Sequence, residues 1–442
     1  MSEKIRGIHE LYAEDPAQAD KMLWDREVDP VTRRGFLKKS SLLAMTAVVG
    51  SHIPFADKMP GGLIPAALAN TATPFAIPAG KDPGMIVLND KPINAEMPAH
   101  LLDDDITPAS RLFVRNNGLV PEMSSIDVNK WTLTIEGEAV PNPKTYTIAD
   151  LKSKFKHHTL QLWIECGGNG RKHFNPPAKG NQWDVGAIGC PTWTGVRLKD
   201  ILADVGYDKK AAVYIGYYGA DVHLSGDPTK VVISRGVPMK KALEDETIVA
   251  WAMNGEDIPL IHGHPLRLIA PGYPASVSGK WLTKIAIRDK EHDGPKMTGQ
   301  SYRLPCNPVE AGTKVENGDM CVMEAMPVKS LITAPQSGVK TTVSKGLKIR
   351  GKAWDGEGDI KTVEVSTDFG ATWQKAKLAK ARNKFAWQTF EAELKFPKTG
   401  YYEVWAKATN KNGVSQPMIV PGWNPRGYAN NMAHRIAVYV EA

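Results

Sequence analysis

The stretch Thr159-Leu160-Gln161-Leu162-Trp163-Ile164-Glu165-Cys166-Gly167-Gly168-Asn169-Gly170-Arg171 decides how the rest of the chain is read. Its first half alternates polar and apolar side chains, the period-two pattern of a strand with a buried face. Its second half sets a thiol at the strand end, then three glycines in four residues, then an arginine. Glycine has no Cβ, so a ligand can approach the backbone closely there. A buried cysteine before a glycine turn fits the same residues. The rest of the chain separates the two readings, because a soft metal takes a thiolate and the cations elsewhere suit an anionic cofactor and an anionic substrate.

The chain has 442 residues and a formal charge of +7, enough for two or three domains with their own cores. The positive excess is spread out, with no lysine-rich tail and no basic-aromatic repeat, which argues against a nucleic-acid partner. Near the N-terminus, Thr32-Arg33-Arg34-Gly35-Phe36-Leu37-Lys38 reads as a twin-arginine motif. The apolar run after it, from Ser41 to about Ile53, is too short and too mixed to span a bilayer, so no membrane span is expected after processing. Ala67-Leu68-Ala69 offers a small-residue cleavage site before Asn70. Residues 1–69 therefore read as a twin-arginine signal peptide, with a surface amphipathic helix as the alternative. The acidic segment holding Asp15, Asp20, Asp25 and Asp29 makes a long leading region of disordered character. That route exports proteins already folded, often around a cofactor, and here the destination would be the periplasm.

Four cysteines remain to be placed. Cys306 and Cys321 are close enough in sequence to pair, but two free thiols satisfy the sequence equally well. The chain lacks a Cys-x-x-Cys-His attachment motif, so no haem is expected in it, and electron chemistry would need a bound cofactor and an outside partner.

Residues 70–110, rich in Pro, Ala and Asp, read as an extended N-terminal arm. Residues 111–300 mix short strands with few, irregularly placed helices, an α+β pattern. Strands are expected over Trp131–Ile135, Val213–Tyr218 and Val231–Ser234, and short helices after Thr147 and over Leu198–Val205. Residues 290–330 read as a connector, and residues 330–442 as an all-β, immunoglobulin-like sandwich whose core is filled by Trp354, Trp373, Trp387 and Trp405.

Several motifs in this order resemble the sulfite oxidase family of molybdenum enzymes. They are Phe113-Val114-Arg115-Asn116-Asn117-Gly118, Cys166 with Gly168-Asn169 and Arg171, Trp183 to Ile188, Trp193 to Leu198, and Gly219-Ala220-Asp221. They continue with His262-Gly263-His264-Pro265-Leu266-Arg267, Pro271-Gly272, Ser278-Gly279-Lys280-Trp281-Leu282, and Trp423-Asn424-Pro425-Arg426-Gly427. Within the family, Ser234-Arg235-Gly236-Val237-Pro238 and the arm are similar to the molybdenum subunits of periplasmic sulfane dehydrogenases, with periplasmic sulfite dehydrogenases beside them. Asn117 stands where animal, plant and several bacterial sulfite oxidases carry histidine.

The resemblance implies a molybdopterin-binding domain followed by a dimerisation domain, and one molybdenum held by a pyranopterin dithiolene and by Cys166. It assigns cofactor binding to Phe113, Val114, Arg115, Asn116, Asn117, Cys166, Asp221, His262, Arg267, Ser278, Gly279 and Lys280. It assigns the anionic-substrate pocket to Arg115, Arg171, Trp183 and Arg426, with Tyr302 as an active-site tyrosine. Ser301 stands before Tyr302 where family members carry aspartate. The implied reaction is oxygen-atom transfer to sulfite or protein-bound sulfane sulfur, with electrons leaving to a c-type cytochrome, a dihaem subunit among the candidates. A homodimer through the C-terminal domain is expected. Two rivals are a periplasmic molybdopterin-dependent methionine sulfoxide reductase, which would lack residues 330–442, and a non-enzymatic exported immunoglobulin-like binding protein, which leaves the Cys166 segment and the cations unexplained.

Overall fold

A computed structural model describes residues 75–442, together with Asp15, Gln18, Ala19, Lys21 and Met22. The chain divides into two compact units, Met1–Ala72 and Thr73–Ala442. In the first, the Ala19 N–H donates to the Asp15 carbonyl at 2.9 Å. The twin-arginine motif, the apolar run and the cleavage site lie outside the described residues. Among the described residues no helix is long and apolar enough to cross a membrane.

The N-terminal half of the second unit is mostly sheet. One five-stranded sheet runs in the order Gly236–Pro238, Tyr214–Gly219, Leu282–Arg288, Thr132–Glu136 and Lys144–Thr147. A second carries Glu256–Asp257, Ile248–Met253, Thr192–Arg197 and His157–Gln161, with Arg267–Ile269 also paired to Ile248–Met253. The expected helices form. Ile148–Lys154 starts at Thr147 because the Thr147 hydroxyl accepts from the Asp150 N–H (3.0 Å) while the Asp150 carboxylate accepts from the Thr147 N–H (2.9 Å). Leu198–Val205 buries Leu198, Ile201, Leu202 and Val205 on one face. The strand expected over Val231–Ser234 does not form; the pairing segment is Gly236–Pro238.

The strand leading to Cys166 is broken in two. His157–Gln161 pairs with Thr192–Arg197, and Ile164–Glu165 pairs with Ile188–Gly189. Between them the backbone finds other partners, with the Leu162 N–H on the Pro191 carbonyl (3.1 Å) and the Trp163 N–H on the Phe385 carbonyl (3.0 Å). The interruption turns Cys166 out of the large sheet toward a cavity.

Residues 75–110 are not the extended arm that their composition suggests. Ile86–Asp90 and Ile93–Glu96 form a hairpin, and the second strand pairs with Val114–Arg115. Met85, Val87, Ala95 and Met97 are buried in the same core as Cys166. This apolar face explains why the segment packs against the domain. The connector also has structure: Arg303–Pro305 pairs with Met320–Val322, and Cys306 and Cys321 are joined in a disulfide.

In the C-terminal half, a four-stranded sheet (Lys329–Ala334, Leu347–Trp354, Gln388–Leu394, Lys377–Leu378) and a five-stranded sheet (Val339–Thr342, His434–Glu441, Gly400–Asn410, Ile360–Ser366, Gln374–Lys375) share one apolar core. That core is aliphatic with Phe390 and Phe396, and the four tryptophans do not fill it. Trp354 and Trp387 instead join the cluster that contains Cys166. Their ring N–H groups explain the placement. Trp354 donates to Glu165 (2.9 Å) and Trp387 to the Asp105 carbonyl (2.8 Å), partners outside the aliphatic core of the two C-terminal sheets. Trp405 and Trp373 lie under the cations of Arg435 and Lys407.

Candidate active site

Cys166 is buried at the end of Ile164–Glu165, and its loop is held by backbone bonds. Its N–H donates to the Ala187 carbonyl and its carbonyl accepts from the Asn169 N–H, both at 2.9 Å. The glycines are needed for space and for backbone sign. A Cβ at Gly168 would meet the Arg171 guanidinium at 2.3 Å, and Gly170 has φ of 91°. Beneath the loop, Glu165 is fully buried and accepts from Asn169 Nδ2 (2.9 Å), Trp354 Nε1 (2.9 Å) and Lys329 Nζ (2.5 Å).

Two cavities meet at Cys166. The inner one is lined by Phe113, Arg115, Asn116, Asn117, Cys166, Asp221, His262, Arg267, Ser278, Lys280 and Tyr302, among others. Of the sequence-predicted cofactor residues, Val114 and Gly279 do not line it. Val114 buries its side chain in the core. Gly279 is pressed against Tyr217, where a Cβ would lie 2.3 Å from the ring. The outer cavity shares Arg115, Asn117, Cys166 and Tyr302, and adds Arg171, Trp183, Arg426 and Tyr428. The structure therefore brings every predicted substrate-pocket residue to one place, although Arg426 belongs to the C-terminal half.

The inner wall carries an excess of buried positive charge. Lys280 Nζ contacts Asn116 Oδ1 and donates to the Ile261 carbonyl (2.9 Å), and Arg267 Nη1 donates to the His262 carbonyl (2.9 Å). Burial, then neighbouring cations that include Arg267 and Lys81, drops Lys280 and His262 well below their ordinary values. Burial lowers Arg267 to about 9. Asp221, on the same wall, is raised to about 6 by burial. Among the described residues, Arg267 Nε and Asn116 Nδ2 are buried without a hydrogen-bond partner. An anion with several acceptor oxygens would satisfy those donors and offset the repulsion, so the wall fits the phosphate-bearing end of a pyranopterin. The outer wall offers Trp183 Nε1 and Arg426 Nε, again buried and without a hydrogen-bond partner among the described residues. Arg171 is more committed, with Nε on the Arg426 carbonyl (2.6 Å) and Nη1 on the Asn181 carbonyl (2.8 Å).

Sequence reading missed Lys81, Arg235, Tyr428 and the Glu165–Lys329 pair. Lys81 reaches in from the N-terminal segment, donating to the Ala109 and Leu112 carbonyls (2.6 and 2.8 Å) with His262 Nε2 at 2.5 Å. Nothing in its local sequence marks it. Arg235 and Tyr428 do adjoin recognisable motifs, Arg235 within Ser234–Pro238 and Tyr428 two residues after Arg426.

Residues 117–296 match the family described as the oxidoreductase molybdopterin binding domain, and residues 320–441 the Mo-co oxidoreductase dimerisation domain. With a buried cysteine between a cation-walled cavity and an arginine-lined one, these matches define the class as a molybdopterin-dependent oxidoreductase. The chain is 30% identical over 375 residues to sulfite oxidase of Gallus gallus, covering 82% of this chain and 79% of that protein. It is 31% identical over 384 residues to mitochondrial sulfite oxidase of Homo sapiens, covering 84% and 68%. The crystal structure of the sulfane dehydrogenase SoxCD from Paracoccus pantotrophus is similar with a TM-score of 0.63 and 25% identity, over 87% of this chain and 94% of that one. The chain belongs to the sulfite oxidase family of molybdenum enzymes.

Proposed function

We propose that this protein oxidises an anionic sulfur substrate, sulfite or protein-bound sulfane sulfur, after export to the periplasm, and passes electrons to a c-type cytochrome. The observation that carries the reading is the meeting of the two cavities at Cys166, with cations on both walls. Lys280, Arg267 and His262 would hold the anionic end of the cofactor, and Cys166 would ligate its molybdenum as a thiolate. When bound, that cofactor supplies a two-electron oxygen-atom-transfer centre.

The chain's own residues do the binding and orienting. Arg115, Arg426 and Arg171 place positive charge around the outer cavity, where a forked guanidinium suits the oxygens of a sulfur oxyanion. Trp183 Nε1 is a buried donor without a partner among the described residues, and its ring packs edge-on to Phe113 at 6.5 Å. Fixed donors of this kind hold the anion's oxygens without reorganisation, and such preorganisation lowers a barrier. The Tyr302 hydroxyl, 3.3 Å from Arg115 Nη2 and 3.2 Å from Asn117 Nδ2, is placed to accept or donate a hydrogen bond at the same oxyanion. Asn117 offers an amide where histidine would offer a titrating ring, so binding here would depend less on pH near neutrality.

We read the C-terminal two-sheet domain as an immunoglobulin-like homodimerisation module. Its match over residues 320–441 also weighs against the methionine sulfoxide reductase reading, which has no place for it. The test is turnover of sulfite and of a protein-bound sulfane substrate by purified, molybdenum-loaded protein, with cytochrome c as acceptor. Oxidation of either supports the proposal, and oxidation of neither, with metal and pterin in place, overturns it.

A further inference from the structure

Tyr302 has φ of 55°, a left-handed backbone that a bulky side chain seldom adopts. Such a conformation persists only where the surroundings over-determine it. Its ring has two neighbours. The Arg235 guanidinium carbon lies 4.7 Å from the ring centroid, and the Tyr428 ring lies 5.6 Å away and nearly parallel, at 9°. Tyr428 in turn sits 5.1 Å from the Arg171 guanidinium. The four side chains stack in the order cation, ring, ring, cation, and Tyr302, which lines both cavities, is the member common to them.

Arg235 is the unusual member. It is fully buried (0% exposed), and Nη1 donates to Ser276 Oγ at 2.7 Å, but Nε and Nη2 have no hydrogen-bond partner among the described residues. Its charge-bearing group meets the face of Tyr302, and among the described residues no carboxylate pairs with it. A buried cation without a counter-ion is costly, and a ring face offsets part of that cost when both partners are desolvated. A lysine could carry the charge but not the flat face. We propose that Arg235, together with Tyr428, is a positioning residue that holds the Tyr302 hydroxyl against Arg115 and Asn117 beside Cys166. The inference rests on the reading of Tyr302 as a residue facing the anionic substrate.

The experiment is a double-mutant cycle on the full, molybdenum-loaded chain with Arg235→Met and Tyr302→Phe, using whichever sulfur substrate the wild type oxidises. Residues that act through one another give non-additive effects. Arg235→Met is expected to lower kcat/KM about tenfold in the wild-type background and to change it less than about twofold in the Tyr302→Phe background. Arg235→Lys should recover only part of the loss. Hydrogen exchange over residues 299–304, read without substrate, should rise in Arg235→Met at unchanged metal content. If Arg235→Met fails to load, Tyr428→Leu enters the same cycle, with the same non-additivity expected. Equal losses in both backgrounds, or unchanged exchange over residues 299–304, would overturn the proposal. If the wild type oxidises no sulfur substrate while exchange still rises, the functional reading fails and the clamp on Tyr302 stands.

Discussion

Lys329, in the first strand of the C-terminal domain, places its ammonium 2.5 Å from Oε1 of Glu165, the residue immediately before Cys166. Both side chains are buried, at 7% and 0% exposure. Trp354 of the same domain holds the other carboxylate oxygen at 2.9 Å, and Asn169 of the cysteine loop also donates to Glu165. The C-terminal domain thus grips the base of the loop that carries Cys166, and it also contributes Arg426 to the outer cavity. The domain matching the dimerisation family and the domain matching the molybdopterin-binding family are joined beside Cys166.

Lys329→Met should be strongly destabilising, because it leaves the Glu165 charge buried without its counter-ion, a loss on the order of 3–5 kcal/mol. Adding Glu165→Gln should return part of that stability, since a neutral amide needs no counter-charge. Calorimetric unfolding of the single and double variants checks this. An unchanged Tm in Lys329→Met would show that the pair contributes nothing.

Arg426→Met should impair catalysis without loss of metal. Removing one charge-assisted contact costs on the order of 1.5–3 kcal/mol, about ten- to a hundred-fold in kcat/KM. Steady-state kinetics beside molybdenum analysis measure both. A kcat/KM within about twofold of wild type would make Arg426 a structural residue of its turn.

Lys81 predicts a pH dependence. Burial lowers it from 10.5 to about 7 in the folded chain. Between those values the unfolded chain binds more protons than the folded one, so stability of the cofactor-free protein rises with pH across that window. The rise should shrink in Lys81→Met. It should also shrink in loaded protein, where an anion near His262 favours the ammonium. Denaturant titrations at pH 6.5 and pH 9 on the three samples, a window taken from the linkage argument, would show it; identical pH slopes in all three would exclude Lys81 from the cofactor wall.

Export through the twin-arginine route predicts that changing Arg33 and Arg34 together to Lys retains the protein in the cytoplasm. Fractionation followed by activity assay decides it, and undiminished periplasmic activity in the variant would refute the route.

Much of this site was legible because its residues travel in short ordered motifs. Cys166 announces itself by its glycines, and Arg115, Arg171, Arg267 and Lys280 each sit in a segment with a recognisable pattern. The capped helix after Thr147 was legible because capping is local chemistry. What was not legible depends on contacts between distant segments. Lys81 stands 181 residues from His262, and Lys329 stands 164 from Glu165. The tryptophans misled for a related reason. Hydrophobic payload says that a residue is buried, not which core receives it, and Trp354 is drawn to Glu165 by its N–H. Composition also misread residues 75–110, where the burial of Met85, Val87, Ala95 and Met97 around a hairpin outweighs the prolines near it.

The central claim is that Cys166 ligates molybdenum where the two cavities meet. The most direct measurement is X-ray absorption at the molybdenum edge on purified wild-type and Cys166→Ser protein, with turnover measured on the same samples. The account predicts one more sulfur neighbour of molybdenum in the wild type than in the variant, with turnover collapsing in Cys166→Ser. An identical sulfur shell in both proteins, or turnover near wild type in the variant, would contradict it.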